Sequence, residues 1–123
     1  MKLYHHPNCS TCKKAIRFLA ENDIDVEPIN LLDAAPSIAE LQMLLSHQSG
    51  NVRALFNTSG MQYRELDMKT VLPTLSSDEA LALLAGNGLL VKRPLLIEVS
   101  AQQACALVGF KPDQWAATLG LEL

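Results

Sequence analysis

Polar and apolar residues alternate over residues 2–5 (Lys-Leu-Tyr-His) and Pro7-Asn8 breaks the pattern, which predicts a short first strand. From Ser10 the period lengthens. Cys12, Ala15, Ile16 and Leu19 occupy i, i+3, i+4 and i+7 of one helical face, with Lys13, Lys14, Arg17 and Glu21 largely opposite. Asn22-Asp23 is a plausible stop. Ile24 to Ile29 then reads as a second strand, with Ile24, Val26 and Ile29 turned to the core.

Residues 33–88 read as helical, with no obvious strand. Ser37-Ile-Ala-Glu40 has capping-box spacing and leads into Ile38, Leu41, Leu44 and Leu45 at helical intervals. Asn57-Thr-Ser-Gly60 is a turn. Ser76-Ser-Asp-Glu79 offers a second capping box, and Gly86-Asn87-Gly88 ends the helix that follows. Beyond Arg93-Pro94, Leu95 to Val99 reads as a buried strand and Cys105 to Val108 as another, close enough to form an antiparallel hairpin. Pro112 suits the first turn of a last helix holding Trp115, Ala116 and Leu119. The order β-α-β, helical block, β-β-α describes a small α/β sheet with an insertion.

Composition narrows the class. The 123 residues suffice for one domain, and 49% apolar content excludes disorder as the default. A net charge of −3 argues against a broad nucleic-acid face. No apolar run approaches the ~20 residues of a membrane span, and the start lacks a signal-peptide core. Three cysteines are too few and too odd in number for a disulfide-stapled secreted domain. The expectation is a cytoplasmic monomer with reduced thiols, binding neither membrane nor nucleic acid directly.

The strongest chemical signal is Cys9-Ser10-Thr11-Cys12 between the first strand and the first helix. Cysteines three apart at a helix start lie ~5 Å apart at Cα, within disulfide range. Cys9 falls where free backbone N–H groups and the positive end of the helix dipole converge, which favours thiolate over thiol. Cys12, one turn inside, is placed to attack a mixed disulfide from behind. Cys9 is thus the expected nucleophile and Cys12 the resolving thiol. The competing reading, half of a zinc site, needs four ligands, and the sequence has no second CxxC or spaced Cys/His pair, although His5 or His6 could in principle add a ligand; no metal is expected. His5 has two open roles, a strand residue satisfied by backbone or a tuner of the Cys9 thiolate. His6 and His47 read as surface or turn residues, and Cys105 as a small buried hydrophobe. Asn8, Ser10 and Thr11 flank the cysteines as candidate supporting residues. Pro94 cannot donate to a ladder, so it belongs at a strand start or in a special turn.

Tyr4-His5-His6-Pro7-Asn8-Cys9, Val52 to Gly60 (VRALFNTSG), Tyr63-Arg64-Glu65-Leu66, Leu90 to Ile97 (LVKRPLLI), Val108-Gly109-Phe110 and Trp115 together resemble the ArsC/Spx/MgsR family, in order and across nearly the whole chain. The resemblance implies a thioredoxin-like fold: a mixed four-stranded sheet, core about 1–32 and 89–123, with a helical insertion over about 33–88. It suggests that Pro94 matches a cis-proline facing the active cysteine. In the glutathione/glutaredoxin-linked arsenate reductases of the family, a cysteine is flanked by three oxyanion-binding arginines. Cys9 matches that cysteine, His5 the histidine four residues before it, Arg53 the first arginine and Arg93 the second. The third would fall in Ser100 to Ala104, where this chain has none. Losing one arm of such a clamp should weaken binding and transition-state stabilisation by a few kcal/mol, roughly two orders of magnitude.

Arsenate reduction is therefore the least favoured enzymatic reading. The first is a thiol–disulfide oxidoreductase using Cys9, Cys12 and Arg93, acting on a small thiol or protein disulfide. It would need no bound cofactor and would draw electrons from glutathione or a thioredoxin/glutaredoxin system. The second is an Spx/MgsR-type redox-sensing regulator that binds RNA polymerase through the C-terminal domain of its alpha chain.

Overall fold

The computed structural model describes residues 1–99 and 105–121. They form two compact units, Met1–Asn30 with Arg93–Leu123, and Leu31–Lys92. In the first unit β1 (Lys2–His5), α1 (Ser10–Glu21) and β2 (Glu27–Asn30) are followed, after the second unit, by β3 (Leu95–Glu98), β4 (Cys105–Val108) and α6 (Pro112–Leu119). The sheet order is β2-β1-β3-β4. β1 pairs parallel with β2, and β3 runs antiparallel to both β1 and β4.

Register puts Leu3, Leu96 and Leu107 side by side across three strands, and with the two-residue alternation of a strand they share one face. That face joins Ala15 and Leu19 of α1 and Trp115 of α6 in one buried cluster. Burying each large apolar side chain there stabilises the unit by about 1.5–3 kcal/mol. Phe110 meets Phe18 and Trp115 edge-on at centroid distances of 5.4 and 5.0 Å. The Trp115 indole N–H donates to the Gly109 carbonyl at 2.9 Å, so its polar atom is satisfied inside the core.

The second strand begins later than its hydrophobic pattern suggests. Ile24 N–H closes back on Leu19 O at 2.9 Å, and pairing starts only at Glu27, opposite Lys2. Ile24 and Val26 still pack against the core, from the connection rather than from the strand. Pro28 is tolerated because β2 is an edge strand.

The second unit contains α2 (Ile38–His47), a 3-10 turn at Val52–Leu55, α3 (Met61–Glu65), α4 (Met68–Val71) and α5 (Ser77–Gly86). Both expected capping boxes form, Ser37 with Glu40 and Ser76 with Glu79. As expected, the block holds no strand; its pairing is limited to an isolated antiparallel bridge between Phe56 and Val91. Lys92 N–H to Leu55 O and Asn57 N–H to Leu90 O, both 2.8 Å, flank it. Gly88 is required where it stands, because a Cβ there would run into the Leu31 carbonyl oxygen. The first unit is thioredoxin-like and the second is its helical insertion, the fold class expected from the sequence. Among the described residues no helix is long and apolar enough to cross a membrane.

Candidate active site

β1 ends at His5, and the chain turns through His6–Asn8 to enter α1 at Cys9. The turn is tied by Cys9 N–H to His6 O at 3.1 Å and by Asn8 N–H to His6 Nδ1 at 3.0 Å. A backbone N–H can only donate, so His6 Nδ1 is the acceptor and a neutral ring carries its proton on Nε2. His6 is held below its ordinary pKa by desolvation, then by the Arg93 charge and His5, which keeps the ring in that neutral form.

Cys9 is itself the N-cap of α1. Its backbone is extended (φ −97°, ψ 115°), and its Sγ accepts the Cys12 N–H at 3.3 Å. Side-chain oxygens usually take this role; a thiol sulfur accepts weakly, whereas a thiolate makes a charge-assisted bond. No acidic side chain occupies the first turn to compete for the helix's positive end. Partial burial works against the thiolate. The Cys12 thiol and N–H, together with the charge and hydrogen bond of Arg93, outweigh it and hold the Cys9 pKa below the ordinary thiol value.

Cys12 is the complement. It is buried, and desolvation first, then its hydrogen bond with Cys9, push its pKa up to about 12. A backbone hydrogen bond from His6, and the Arg93 charge after it, pull in the other direction. The pair is therefore biased toward a thiolate at Cys9 resting against a thiol at Cys12. Both cysteines, and Cys105, are free.

Arg93 precedes Pro94 across a cis peptide bond, at the start of β3. Its Nη1 is shielded from solvent and has no hydrogen-bond partner among the described residues. The Pro94 carbonyl accepts Gly109 N–H at 2.8 Å, so that oxygen is already engaged within the unit. Ser10 and Thr11 are exposed on the first turn of α1, and Asn8 is exposed before it. His5 is half-buried at the end of β1 and does not figure among the groups that shift Cys9.

Arg53 belongs to the other unit, exposed on the Val52–Leu55 turn. The stretch Ser100 to Ala104, where the family resemblance would put a third arginine, lies outside the described residues. Cys105 is buried in β4, 3.8 Å from the Leu96 carbonyl, with its pKa raised by desolvation and then by Glu98. Among the described residues no group of three or more His, Cys, Asp or Glu side chains is placed to hold a metal ion.

The site residue that sequence reasoning passed over is His6. Its backbone contacts both cysteines and its ring locks the loop, a role carried mostly by main-chain atoms and so invisible in side-chain spacing. The only signal for it is its position three residues before Cys9, where a turn hydrogen bond must close.

The ArsC family model matches residues 4–118. The chain is 40% identical over 115 residues to YusI of Bacillus subtilis, covering 94% of each chain. It is 26% identical to the global transcriptional regulator Spx of Streptococcus pyogenes, over 95% of this chain and 83% of that one. It is 28% identical to an arsenate reductase of Neisseria meningitidis, over 79% and 82%. Among solved structures, an ArsC-family-related protein from Bacteroides fragilis superposes with a TM-score of 0.85 at 40% identity, covering 95% of both chains.

Proposed function

Because the chain belongs to the ArsC family, we propose that it is a thiol–disulfide oxidoreductase built on Cys9 and Cys12. The observation that carries this reading is the opposed ionisation of two cysteines one helical turn apart, Cys9 lowered and Cys12 raised. The Cys9 thiolate attacks one sulfur of a substrate disulfide. A Cys9–substrate disulfide forms, the substrate S–S bond breaks, and the other substrate half leaves as a thiolate. Bond formation quenches the Cys9 charge, and with it the repulsion that holds the Cys12 proton. Cys12 then gives its proton to the departing sulfur and attacks Cys9 Sγ, releasing the second substrate thiol and closing the Cys9–Cys12 disulfide. The substrate has gained two electrons and the protein has lost two. Two glutathione thiols, or one thioredoxin or glutaredoxin dithiol, supply the two electrons that restore the reduced pair.

Arg93 steadies the Cys9 thiolate, and its unpartnered Nη1 suits a carboxylate carried by the substrate. His6 and Asn8 position the loop rather than react. In arsenate chemistry the same Cys9 and Arg93 would face an oxyanion, with the clamp incomplete in sequence at Ser100 to Ala104.

The test is chemical. On adding glutathione disulfide, mass spectrometry of the whole protein should show the loss of two hydrogens in wild type. Cys12→Ser should instead trap one glutathione on Cys9. In parallel, the alkylation rate of Cys9 should rise with pH around a midpoint below the ordinary ~8.5, and Arg93→Leu should move that midpoint upward. A midpoint at the ordinary value, or no trapped adduct, defeats the reading. A second reading, a redox-sensing regulator, is supported by the alignment with Spx over 95% of this chain. Binding of one redox form to the C-terminal domain of the RNA polymerase alpha chain would favour it, and no binding by either form would remove it.

A further inference from the structure

The turn between β1 and α1 carries Cys9 to the tip of the helix, and its hydrogen bonds converge on one residue. Pro7 has no N–H to give. The next two amides both go to His6: Asn8 N–H to the ring Nδ1 at 3.0 Å, and Cys9 N–H to the His6 carbonyl at 3.1 Å. The His6 backbone also bonds the Cys12 thiol. One residue thus holds the main chain of the nucleophile and the sulfur of its partner.

The ring bond works in one protonation state only. A backbone N–H can only donate, so the bond exists while Nδ1 keeps its lone pair. A proton on Nδ1 sets donor against donor and releases the Asn8 amide. The titratable and charged groups around this turn are His5 at the end of β1, Arg93 ahead of β3, and Cys9 and Cys12 at the start of α1. Arg93 and His5 both oppose a positive ring, and no carboxylate is among the groups that act on it. With desolvation, they keep the ring neutral at neutral pH and move its protonation below the ordinary histidine range. The ring does not figure among the groups that shift Cys9, so its influence on that sulfur passes through the turn.

We propose that His6 is a positioning residue whose neutral imidazole latches the turn, so that Cys9 is reactive only while the ring is unprotonated. Acidification frees the Asn8 amide, the turn loosens, and Cys9 Sγ loses its fixed place against the Cys12 N–H. The inference rests on the oxidoreductase reading for the identity of Cys9 as the attacking sulfur, and it adds acid inactivation to that site.

Two measurements on the full-length protein test it. In nitrogen-15-labelled wild type, the Asn8 amide shift should titrate with the same midpoint as the His6 ring. Iodoacetamide alkylation of Cys9, read by peptide mass spectrometry from about pH 8 to about pH 4, should fall with two protons rather than one. Beyond the loss of thiolate itself, each pH unit below the ring midpoint should remove about a further tenfold. His6→Asn supplies a side-chain oxygen that can accept the amide two residues on and does not titrate, so its rate should fall with one proton only. His6→Ala, with no acceptor, should react several-fold more slowly than His6→Asn at neutral pH. An Asn8 amide that does not follow the ring, His6→Asn as acid-sensitive as wild type, or His6→Ala as fast as His6→Asn would each overturn the proposal. A one-proton wild-type profile with a lowered Cys9 midpoint overturns the latch and leaves the oxidoreductase reading standing. A two-proton profile with an ordinary Cys9 midpoint supports the latch and removes that reading.

Discussion

At Cys9 one sulfur both closes the first helix and carries the proposed chemistry, and substitution separates the two roles. Cys9→Ser puts a good N-cap oxygen where the sulfur accepts the Cys12 N–H, so its stability should stay within a few tenths of a kcal/mol of wild type, although reactivity is lost. Cys9→Ala loses cap and nucleophile together and should cost about 1 kcal/mol in urea unfolding at neutral pH. The two cysteines were legible in the sequence because their spacing alone fixes their places on a helix start. His6 was not, because what it contributes is a main-chain hydrogen bond and a ring nitrogen that accepts from Asn8. Arg93 and Pro94 could be singled out through family resemblance, since a lone arginine before a proline is otherwise ordinary punctuation.

Among the elements, the helices of the second unit were the more readable because their signals are local. The Ser-x-x-Glu boxes at Ser37 and Ser76 satisfy two donors each at α2 and α5, with hydrogen bonds of 2.9–3.1 Å. Ser37→Ala and Ser76→Ala should each lower stability by about 1 kcal/mol, read from urea midpoints with an unchanged slope. Glu79 is held below its ordinary pKa by its bonds to Ser76, so its share of the cap is lost as pH falls through that lowered value. Strands were less readable. The Ile24–Ile29 pattern marks residues that reach the core, but strand pairing is decided by the partner, and β1 meets the chain only from Glu27. The Phe56–Val91 bridge joins residues 35 apart, which no short-range pattern reports.

For the molecule as a whole, three thiols couple folding to pH with opposed signs. The Cys9 pKa is lowered on folding, so its contribution is complete above the ordinary thiol value and fades as pH falls through the folded one. Cys12, raised to about 12, and Cys105, also raised, have the reverse effect. Above ~8.5 the unfolded chain releases these protons while the native state keeps them, so stability falls as pH climbs toward 12. Urea unfolding at pH 7 and pH 10 should show that loss in wild type, and Cys12→Ala should reduce it. The element order, and with it the sheet, was legible in the sequence.

The single tryptophan, Trp115, lies wholly inside the sheet-bearing unit, with its indole nitrogen bonded to Gly109. Its emission therefore reports the core of that unit, while far-ultraviolet ellipticity reports the helices of both units. Recording both on one melting ramp compares that core with the helices as a whole without adding a label, and coincident curves are the signature of a single cooperative transition.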